Sequence, residues 1–230
     1  RKQLAGEAMF IRAYHYFNLV RLFGGVFLIH KQVTPLEATA INRSPVADIY
    51  KLIEADLTTA AASMNGLTYS QIAGADRGRA TRWAANGLLA KVYLTLGRKA
   101  DAIPLLQNVI TNSGHALQGT YANVFSITNE MNSEILFAVR YKAGGLGLGS
   151  SFGNDFTPLG TGSTIINGDG DGWNFPTAEL DTLTNGDLRK PNILATNGTS
   201  ATARLYVKKY LFPVVLANDG ESDWPILRYE

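Results

Sequence analysis

The sequence predicts a mainly α fold, in which tetratricopeptide-like helical hairpins carry a loop-rich insertion that contains short strands. Three observations predict this fold class. Over residues 1–113 the apolar residues recur at the spacing of helices. Residues 143–223 are rich in Gly, Asn, Asp and Thr, and they repeat the turn signals Asn-Gly and Asp-Gly. The composition is that of a folded chain, because 46% of the 230 residues are hydrophobic and 17% are charged.

The first predicted helix covers residues 3–23 and ends at Gly24-Gly25, since glycine is common just past a helix end. We expect one apolar stripe of this helix to be buried. Its members recur every three or four residues: Leu4, Ala8, Ile11, Tyr14 or His15, Asn18 or Leu19, and Leu22. An irregular connection over residues 24–43 separates this helix from the next.

The second predicted helix starts with Ser44 as N-cap and Pro45 at the first helical position, and it runs to Met64. Thr81 opens a third helix, which Gly97 closes. A fourth helix over residues 99–113 follows after a very short turn. The third and fourth helices should therefore pack antiparallel as a helical hairpin.

This hairpin carries the residue types of a tetratricopeptide repeat, in which small residues let paired helices approach closely. The matching positions are Leu89, Ala90, Tyr93, Ala102 and Leu106. A strand-like run follows at residues 134–141. We therefore interpret residues 1–141 as a helical scaffold with a short strand, and residues 142–230 as a loop-rich, ligand-side insertion that returns to the scaffold. Together they form one predicted domain, 1–230.

The bulk composition excludes several functional classes. Lys and Arg number 21 against 19 Asp and Glu, so the formal charge is only +2 and gives no electrostatic reason to expect nucleic-acid binding. The chain has no cysteine, which excludes disulfides, thiolate nucleophiles and cysteine-ligated metals. No apolar run is long enough for a membrane-spanning helix.

Catalysis is not predicted. Residues 149–153 read G-S-S-F-G and match the nucleophile elbow G-x-S-x-G at Ser151. An elbow needs a strand before the serine and a helix after it, whereas a glycine-rich stretch precedes this one and Pro158 follows soon after. The three histidines, His15, His30 and His115, belong to no catalytic motif. We therefore expect a protein that is not an enzyme.

No cofactor is predicted either, and calcium is the one alternative. Residues 167–172, N-G-D-G-D-G, resemble the start of a calcium loop. The twelfth position of such a loop requires a bidentate Glu, but it is Ala178 here, and Glu179 comes one residue too late. A hairpin or an open turn is the favoured interpretation of this run.

Aromatic and amide residues on loops are the predicted binding residues. The family resemblance described below implies sugar ligands, whose C–H side packs against aromatic faces and whose hydroxyls bind to amides and carboxylates. Most aromatic residues of the helices are at core spacing instead. The candidate carbohydrate-binding residues all belong to predicted loops: Trp173, Tyr69, Phe152, Asn154, Asp155, Phe156 and Asn174.

A family resemblance adds to this interpretation. Residues 7–29, E-A-M-F-I-R-A-Y-H-Y-F-N-L-V-R-L-F-G-G-V-F-L-I, resemble the most recognisable stretch of SusD-like (RagB/SusD) proteins, with Phe27 where the family usually has proline. Residues 50–60 resemble the family pattern Y-x-x-I-x-x-D-L-x-x-A, and residues 78–97 resemble G-R-A-T-x-x-A-A-x-x-L-L-A-K-V-Y-L-x-x-G. Further family patterns recur in order, at residues 133–138, 176–180 and 223–229.

The resemblance implies a SusD-like α-α superhelix that binds oligosaccharides or polysaccharides and passes them to a SusC-like TonB-dependent transporter. It implies a cell-surface lipoprotein of the outer membrane, anchored by an N-terminal lipid. In the family the Arg-Tyr pair corresponding to Arg228-Tyr229 leads into a further helix, so we expect this chain to lack that C-terminal helical part and the N-terminal lipid-anchor region. The alternative is a helical-repeat scaffold that binds only protein or peptide partners.

Overall fold

A computed structural model describes residues 1–172, 174–197 and 204–230. Its contacts divide the chain into two compact units. The first unit consists of Arg1–Ala116 and Leu227–Glu230, and the second unit is Leu117–Ile226. The sequence placed a boundary at 141/142, whereas the contacts place it at 116/117. The strand-like run before 141 groups with the second unit because it pairs with a strand near the C-terminus.

The first unit is helical, as predicted. Its helices are α1 (Lys2–Phe23), α2 (Pro35–Thr39), α3 (Val46–Ser63), α4 (Arg82–Thr95) and α5 (Lys99–Asn112), with 3-10 turns at Tyr69–Gln71 and Gly74–Asp76. Helix α1 packs on α3, α3 on α4, and α4 on α5. The four long helices thus confirm the helical expectation for residues 1–113.

The caps explain where these helices begin. Thr81 caps α4, because its hydroxyl accepts a hydrogen bond from the Ala84 N–H at 3.4 Å. Helix α3 starts one residue later than predicted, with Pro45 as N-cap. Helix α2 was not predicted. A capping box between Thr34 and Glu37 forms it inside the connection that the sequence left irregular.

The buried face of α1 differs from the predicted stripe. Leu4 is 59% exposed and Leu22 is 75% exposed. The buried positions lie on another face: Gly6, Phe10, Ala13, Tyr16, Phe17 and Val20. Apolar residues surround α1 on most sides, so periodicity could not select the face that α3 covers.

Small residues permit the close helix packing that a tetratricopeptide-like fold requires. A Cβ atom at Gly6 would lie 2.8 Å from Met64 Cγ, so the approach of α1 to the end of α3 depends on glycine. In the α4–α5 hairpin Ala90 and Ala102 are fully buried. Leu106, which the repeat pattern places in the core, is partly exposed.

The second unit consists mainly of loops with short elements, as predicted. Its elements are α6 (Tyr121–Phe125), β1 (Ile135–Val139), α7 (Phe152–Asp155), α8 (Ala178–Leu183), α9 (Lys190–Ile193), β2 (Leu194–Asn197), β3 (Arg204–Val207) and β4 (Trp224–Arg228), with 3-10 turns at Ile127–Asn129 and Gly162–Thr164. Strand β1 pairs with β4, whose last residues are counted with the first unit. Strands β2 and β3 are antiparallel, with Leu194 opposite Val207. Within the described ranges, no helix combines the length and apolarity needed to cross a membrane.

Candidate functional site

An aromatic cluster lies in the second unit. It consists of five half-buried rings: Tyr141, Phe152, Phe156, Tyr210 and Trp224. The Phe152 centroid lies 4.8 Å from that of Trp224 and 5.6 Å from that of Tyr210. These are the tilted contacts that aromatic rings favour. The cluster brings together residues that lie far apart in the sequence, and it gives the loops of this unit a common apolar support.

A cavity of about 210 Å³ opens in the same unit. Its wall combines aromatic, aliphatic, amide and ammonium groups: Tyr121, Ala122, Phe125, Asn192, Lys208, Lys209, Leu211 and Phe212. Tyr121 and Phe125 are four residues apart on α6 and therefore share a face. Their ring centroids are 4.9 Å apart. Apolar ring faces beside convergent polar groups are the usual composition of a small-molecule site.

Lys209 connects this cavity with the aromatic cluster. Its ammonium nitrogen lies 3.9 Å from the centroid of the Phe125 ring and 5.8 Å from that of Tyr121. The same nitrogen lies 5.4 Å from the centroid of Tyr210, a member of the cluster. Ring faces attract a cation at these distances. The lysine is therefore held beside the cavity by three rings.

Backbone contacts hold the loops that carry the aromatic cluster. Ser150 and Gly220 exchange two backbone hydrogen bonds of 2.8 Å. Next to them the carboxylate of Asp219 accepts hydrogen bonds from the N–H groups of Gly145 and Gly144, at 2.8 and 2.7 Å. These bonds hold the pKa of Asp219 below its usual value. The segments before Phe152 and Trp224 are thus fastened to each other.

The first unit has a cavity of its own, of about 250 Å³. Its wall is mostly polar: Gln3, Glu7, Asn65, Leu67, Gln71, Ile72, Ala73, Asp76 and Arg79. These polar groups bind one another, since Arg79 pairs with Glu7 and Gln3 accepts from the Asn65 N–H at 2.7 Å. None of these described wall residues is aromatic, so the cavity of the second unit is the better candidate.

Comparisons with known proteins agree with the resemblance. Residues 1–94 match the family model SusD-like_3, described as starch-binding and associating with the outer membrane. The SusD-like protein P2 of Formosa agariphila is 31% identical over an alignment of 216 residues that covers 88% of this chain. The chain belongs to the SusD-like family. The SusD-like protein P25 of the same organism is 29% identical over 161 residues.

Solved structures of SusD-like proteins show the same fold. A laminarin-binding SusD-like protein superposes with a TM-score of 0.86 at 23% identity, covering 99% of this chain and 57% of its own. A structure described with a xylogluco-oligosaccharide superposes with a TM-score of 0.78, also at 23% identity and over 99% of this chain and 52% of its own. The SusD-like chain spans only 41% of the curated relative P2 and 30% of P25.

The structure places the predicted site residues of the SusD-like chain in different surroundings. Phe152 and Phe156 join the aromatic cluster. The carboxylate of Asp155 accepts a hydrogen bond from the Ser151 hydroxyl at 2.7 Å, and the exposed Asn174 amide donates to the Asp155 backbone carbonyl at 3.3 Å. Trp173 lies outside the described residues. Ligand contact by these residues stays a prediction.

The sequence predicted that all site residues lie on exposed loops, but two of them are buried. Tyr69 belongs to the first unit and is 2% exposed, and burial raises the pKa of its hydroxyl. Asn154 is 1% exposed and uses its side-chain amide on backbone groups. Burial against the fold leaves neither side chain a free face for a ligand in this structure.

The cavity wall itself was not predicted from the sequence. Two local signals mark it: the Tyr121–Phe125 pair at i,i+4 spacing and the lysine pair Lys208-Lys209 just after a strand. Neither signal is specific by itself. An i,i+4 aromatic pair is common in helix cores, and the two segments lie more than eighty residues apart in the sequence.

Ser151 does not have the geometry of a nucleophile. It precedes α7 with φ −82° and ψ −9°, which is ordinary right-handed helical backbone and not the strained turn of an elbow. Its hydroxyl donates to Asp155. Residues 117–226 contain no histidine, so a Ser-His-Asp arrangement cannot form within the second unit.

The calcium-like run forms a hydrogen-bonded loop. The carboxylate of Asp169 accepts from the backbone N–H groups of Gly170 at 2.8 Å and of Gly160 and Thr161 at 3.0 Å each. These bonds keep the pKa of Asp169 below its usual value. The absence of a cofactor stays a prediction, and these bonds disfavour the calcium alternative at residues 167–172 because an ion would compete for the same oxygens.

Glu130, Asp223 and Arg140 form a mostly buried charge group in the second unit. Arg140 binds Glu130 at 3.0 Å and Asp223 at 3.1 Å. The Asp223 N–H also donates to Glu130 at 3.2 Å. Burial, as the larger cause, and the charge of Asp223 together raise the pKa of Glu130 to about 7. Burial raises the pKa of Asp223 as well.

This group predicts a pH-dependent stability. The pKa of Glu130 is about 7 in the folded chain and 4.5 in the unfolded chain. Between these two pH values the folded state therefore binds more protons than the unfolded state. The free energy of unfolding should therefore fall as pH rises from about 4.5 to 7. We expect Glu130→Gln, which mimics the protonated form, to recover on the order of 2 kcal/mol at pH 8.

Thermal melts of the unchanged protein and of Glu130→Gln, at pH 5 and at pH 8, measure this effect. Glu221→Gln is the matched control, because Glu221 pairs with Lys142 at the surface. It should shift the melting temperature little at either pH. Two results would contradict the assignment of this pH dependence to Glu130. One is an equal gain in melting temperature for both variants at pH 8. The other is a gain of Glu130→Gln that is as large at pH 5 as at pH 8.

Proposed function

We propose that the chain forms a non-catalytic carbohydrate-binding surface, with the cavity of the second unit as the place where a sugar ring binds. The adjacent rings of Tyr121 and Phe125, which line one cavity together with Asn192 and two lysines, are the observation that carries this proposal. Ring faces can take the apolar C–H side of a pyranose, while the Asn192 amide can both donate to and accept from its hydroxyls.

The size of the cavity supports one sugar unit at its wall. Its volume of about 210 Å³ is below the range of roughly 300–1,000 Å³ that drug-sized ligands occupy. The further units of an oligosaccharide would then extend outside the cavity. Binding of this kind needs stacking and hydrogen bonds only, and it requires no activated nucleophile.

The family supports the cellular setting that we propose. The matching family model is described as starch-binding and outer-membrane-associated, and solved relatives are described with laminarin and with a xylogluco-oligosaccharide. We propose that the protein containing this chain is lipid-anchored at the cell surface and delivers its glycan to a TonB-dependent transporter of the SusC-like type. Retention of that transporter on the tagged protein tests the partnership.

A scaffold that binds only protein or peptide is the second candidate. The exposed apolar positions of α1, such as Leu4, Ile11 and Leu22, favour it, because protein partners commonly cover apolar helix faces. Co-purification of the transporter, with no retention of the whole protein on a glycan array or in polysaccharide affinity gels, would establish this alternative and overturn the carbohydrate proposal.

The sugar site predicts a loss of binding when its rings are removed. We expect Tyr121→Ala and Phe125→Ala each to weaken glycan binding by about ten-fold or more, because each removes a stacking face. Isothermal titration with a glycan selected on the array measures this change. Trp173→Ala, tested in parallel, examines the sequence-based prediction for that residue.

Phe23→Ala is the control for this experiment, since Phe23 is an exposed ring of the first unit. It should leave the affinity unchanged. Melting temperatures separate lost contacts from lost folding. Unchanged affinity in both Tyr121→Ala and Phe125→Ala, with a folded protein, would place the site elsewhere.

A further inference from the structure

Asn-Gly pairs recur along the chain. In such a pair the backbone nitrogen of the glycine can attack the side-chain carbonyl carbon of the asparagine, because glycine has no Cβ that would hinder the approach. In a folded chain the reaction needs an accessible carbonyl, an unbound leaving nitrogen and an unbound backbone N–H. Five pairs occur, at residues 65–66, 86–87, 167–168, 185–186 and 197–198. The last pair extends beyond the described residues, so four pairs can be compared.

The pair Asn185-Gly186 lies exposed in the turn between α8 and α9. The ammonium group of Lys190 donates a hydrogen bond to the side-chain oxygen Oδ1 of Asn185 at 2.7 Å. A charged donor polarises the carbonyl and stabilises the negative charge that its oxygen gains when a nucleophile attacks. In the described part of the chain, Asn185 Nδ2 and the Gly186 N–H have no hydrogen-bond partner. The carbonyl is therefore activated, and both nitrogens are available.

Asp181 holds the Lys190 ammonium in position. The Lys190 nitrogen lies 2.7 Å from Asp181 Oδ1, and it donates to the backbone carbonyl of the same residue at 2.7 Å. The Lys190 side chain is only 25% exposed. On the other side of the contact, the Asn185 N–H donates to the Thr182 carbonyl at 3.1 Å. The ammonium thus meets the Asn185 oxygen in a geometry that is already ordered before any reaction.

The pairs at residues 65–66 and 86–87 are less accessible. Asn86 is 5% exposed and lies inside α4, where the N–H of the next residue belongs to the helical hydrogen bonding. Asn65 is half-buried, and its Oδ1 accepts from the backbone N–H of Leu67 at 3.2 Å. A neutral backbone donor polarises a carbonyl less than an ammonium group does. Both pairs should therefore react slowly.

The pair Asn167-Gly168 is exposed and is the closest internal comparison. Its leaving nitrogen, Asn167 Nδ2, donates to the Val215 carbonyl at 2.5 Å. The Gly168 N–H donates to the Ser163 hydroxyl at 3.4 Å, and that hydroxyl donates to Asn167 Oδ1 at 3.2 Å. Both nitrogens that would have to react are bound, and the donor to the carbonyl is neutral. Exposure alone therefore does not distinguish the two pairs, whereas the bonding does.

We propose that Asn185 is a site of spontaneous deamidation and that Lys190 promotes the reaction. The Gly186 nitrogen gives its proton to hydroxide and bonds to Asn185 Cγ. The Cγ–Nδ2 bond then breaks, and the nitrogen takes a proton from water and leaves as ammonia. Water opens the cyclic imide at one of its two carbonyls, which gives aspartate or isoaspartate. The new carboxylate lowers the formal charge of +2 by one and lies beside the Lys190 ammonium.

Peptide mapping by mass spectrometry, on the whole folded protein at pH 8, tests the proposal. Deamidation is followed by the increase in peptide mass, and isoaspartate by its enzymatic methylation. We expect Asn185 to react about ten-fold faster than Asn167, because only Asn185 has a charged donor and unbound nitrogens. In concentrated guanidinium chloride the two asparagines should react at similar rates, since the folded contacts are lost. An equal lead of Asn185 in the denatured protein would assign it to local sequence and overturn the proposal.

Lysine variants test the role of the ammonium group. We expect Lys190→Met to slow the reaction at Asn185 by about ten-fold and to leave the other Asn-Gly pairs unchanged. Lys190→Arg should keep most of the rate, because it keeps a charged donor. Lys142→Met is the control, since Lys142 pairs with Glu221 in the same unit. The comparison of the folded and denatured unchanged protein keeps the test valid if Lys190→Met disorders the turn.

Two further results would overturn the proposal. One is a rate at Asn185 in the folded protein that is no higher than the rate at Asn167. The other is a folded Lys190→Met variant that deamidates at Asn185 as fast as the unchanged protein, because the turn and not the ammonium would then set the rate. Neither result bears on carbohydrate binding, which is measured separately.

Discussion

Asn154→Ala should lower the free energy of unfolding by about 3 kcal/mol, because a buried amide that joins three segments would be lost. Its Nδ2 donates to the carbonyls of Asn167 at 3.1 Å and Asp169 at 2.6 Å, and its Oδ1 accepts from the Asn218 N–H at 2.9 Å. The side chain is almost fully buried. Alanine would leave these backbone groups without their partner, and a buried unpaired group costs about 1–3 kcal/mol.

Chemical denaturation followed by tryptophan fluorescence measures this loss. Asn174→Ala is the matched control, because it removes an exposed amide with one hydrogen bond of 3.3 Å. It should change the free energy of unfolding by less than about 0.5 kcal/mol. If Asn154→Ala were as stable as Asn174→Ala, the bracing role of Asn154 would be excluded.

Arg12→Met should destabilise the first unit by about 3 kcal/mol, because it leaves a buried carboxylate without its cation. Arg12 binds Asp56 through two hydrogen bonds of 2.7 Å. The Asp56 side chain is 6% exposed, whereas that of Arg12 is 33% exposed. Asp56→Leu should therefore cost less than Arg12→Met, since the arginine that is left can reach water.

The double variant Arg12→Met/Asp56→Leu should regain most of the stability, because it removes both charges from the helix interface. Melting temperatures and denaturation curves of the three variants measure this cycle. Lys51→Met is the control, because Lys51 lies on α3, the helix that carries Asp56. It breaks the exposed Lys51–Asp48 pair and should cost less than about 0.5 kcal/mol. Equal losses for Arg12→Met and Lys51→Met would show that burial does not control the strength of these pairs.

Helix α1 shows which structural features the hydrophobic periodicity of a sequence predicts and which it does not. Its length, its glycine stop and its place in the hairpin order could be predicted, because these depend on neighbours within a few residues. The face of α1 that is buried could not be predicted in this way. The helix is apolar on most sides, and the face that is buried is the one that packs on α3.

Apart from Tyr69, the binding residues predicted from the sequence lie in the same unit as the proposed cavity, but none of the described ones lines it. Phe152 and Phe156 belong to the aromatic cluster, while the cavity wall is made by Tyr121, Phe125 and the lysines. Loop aromatics are good candidates when only composition is known. Which of them faces a cavity depends on pairings between distant segments, such as Ser150 with Gly220.

The sequence by itself determined the helical scaffold, the Thr81 cap, the glycine stops, the loop-rich second half and the family. These features follow from local hydrogen bonding, from glycine and proline stereochemistry, and from patterns that are read along the chain. Only the tertiary structure decided that Asn154 braces loops and that Lys209 lies beside the two rings of α6. Burial and cavity walls arise when chain segments that are far apart in sequence pack together, and local propensities do not encode that packing.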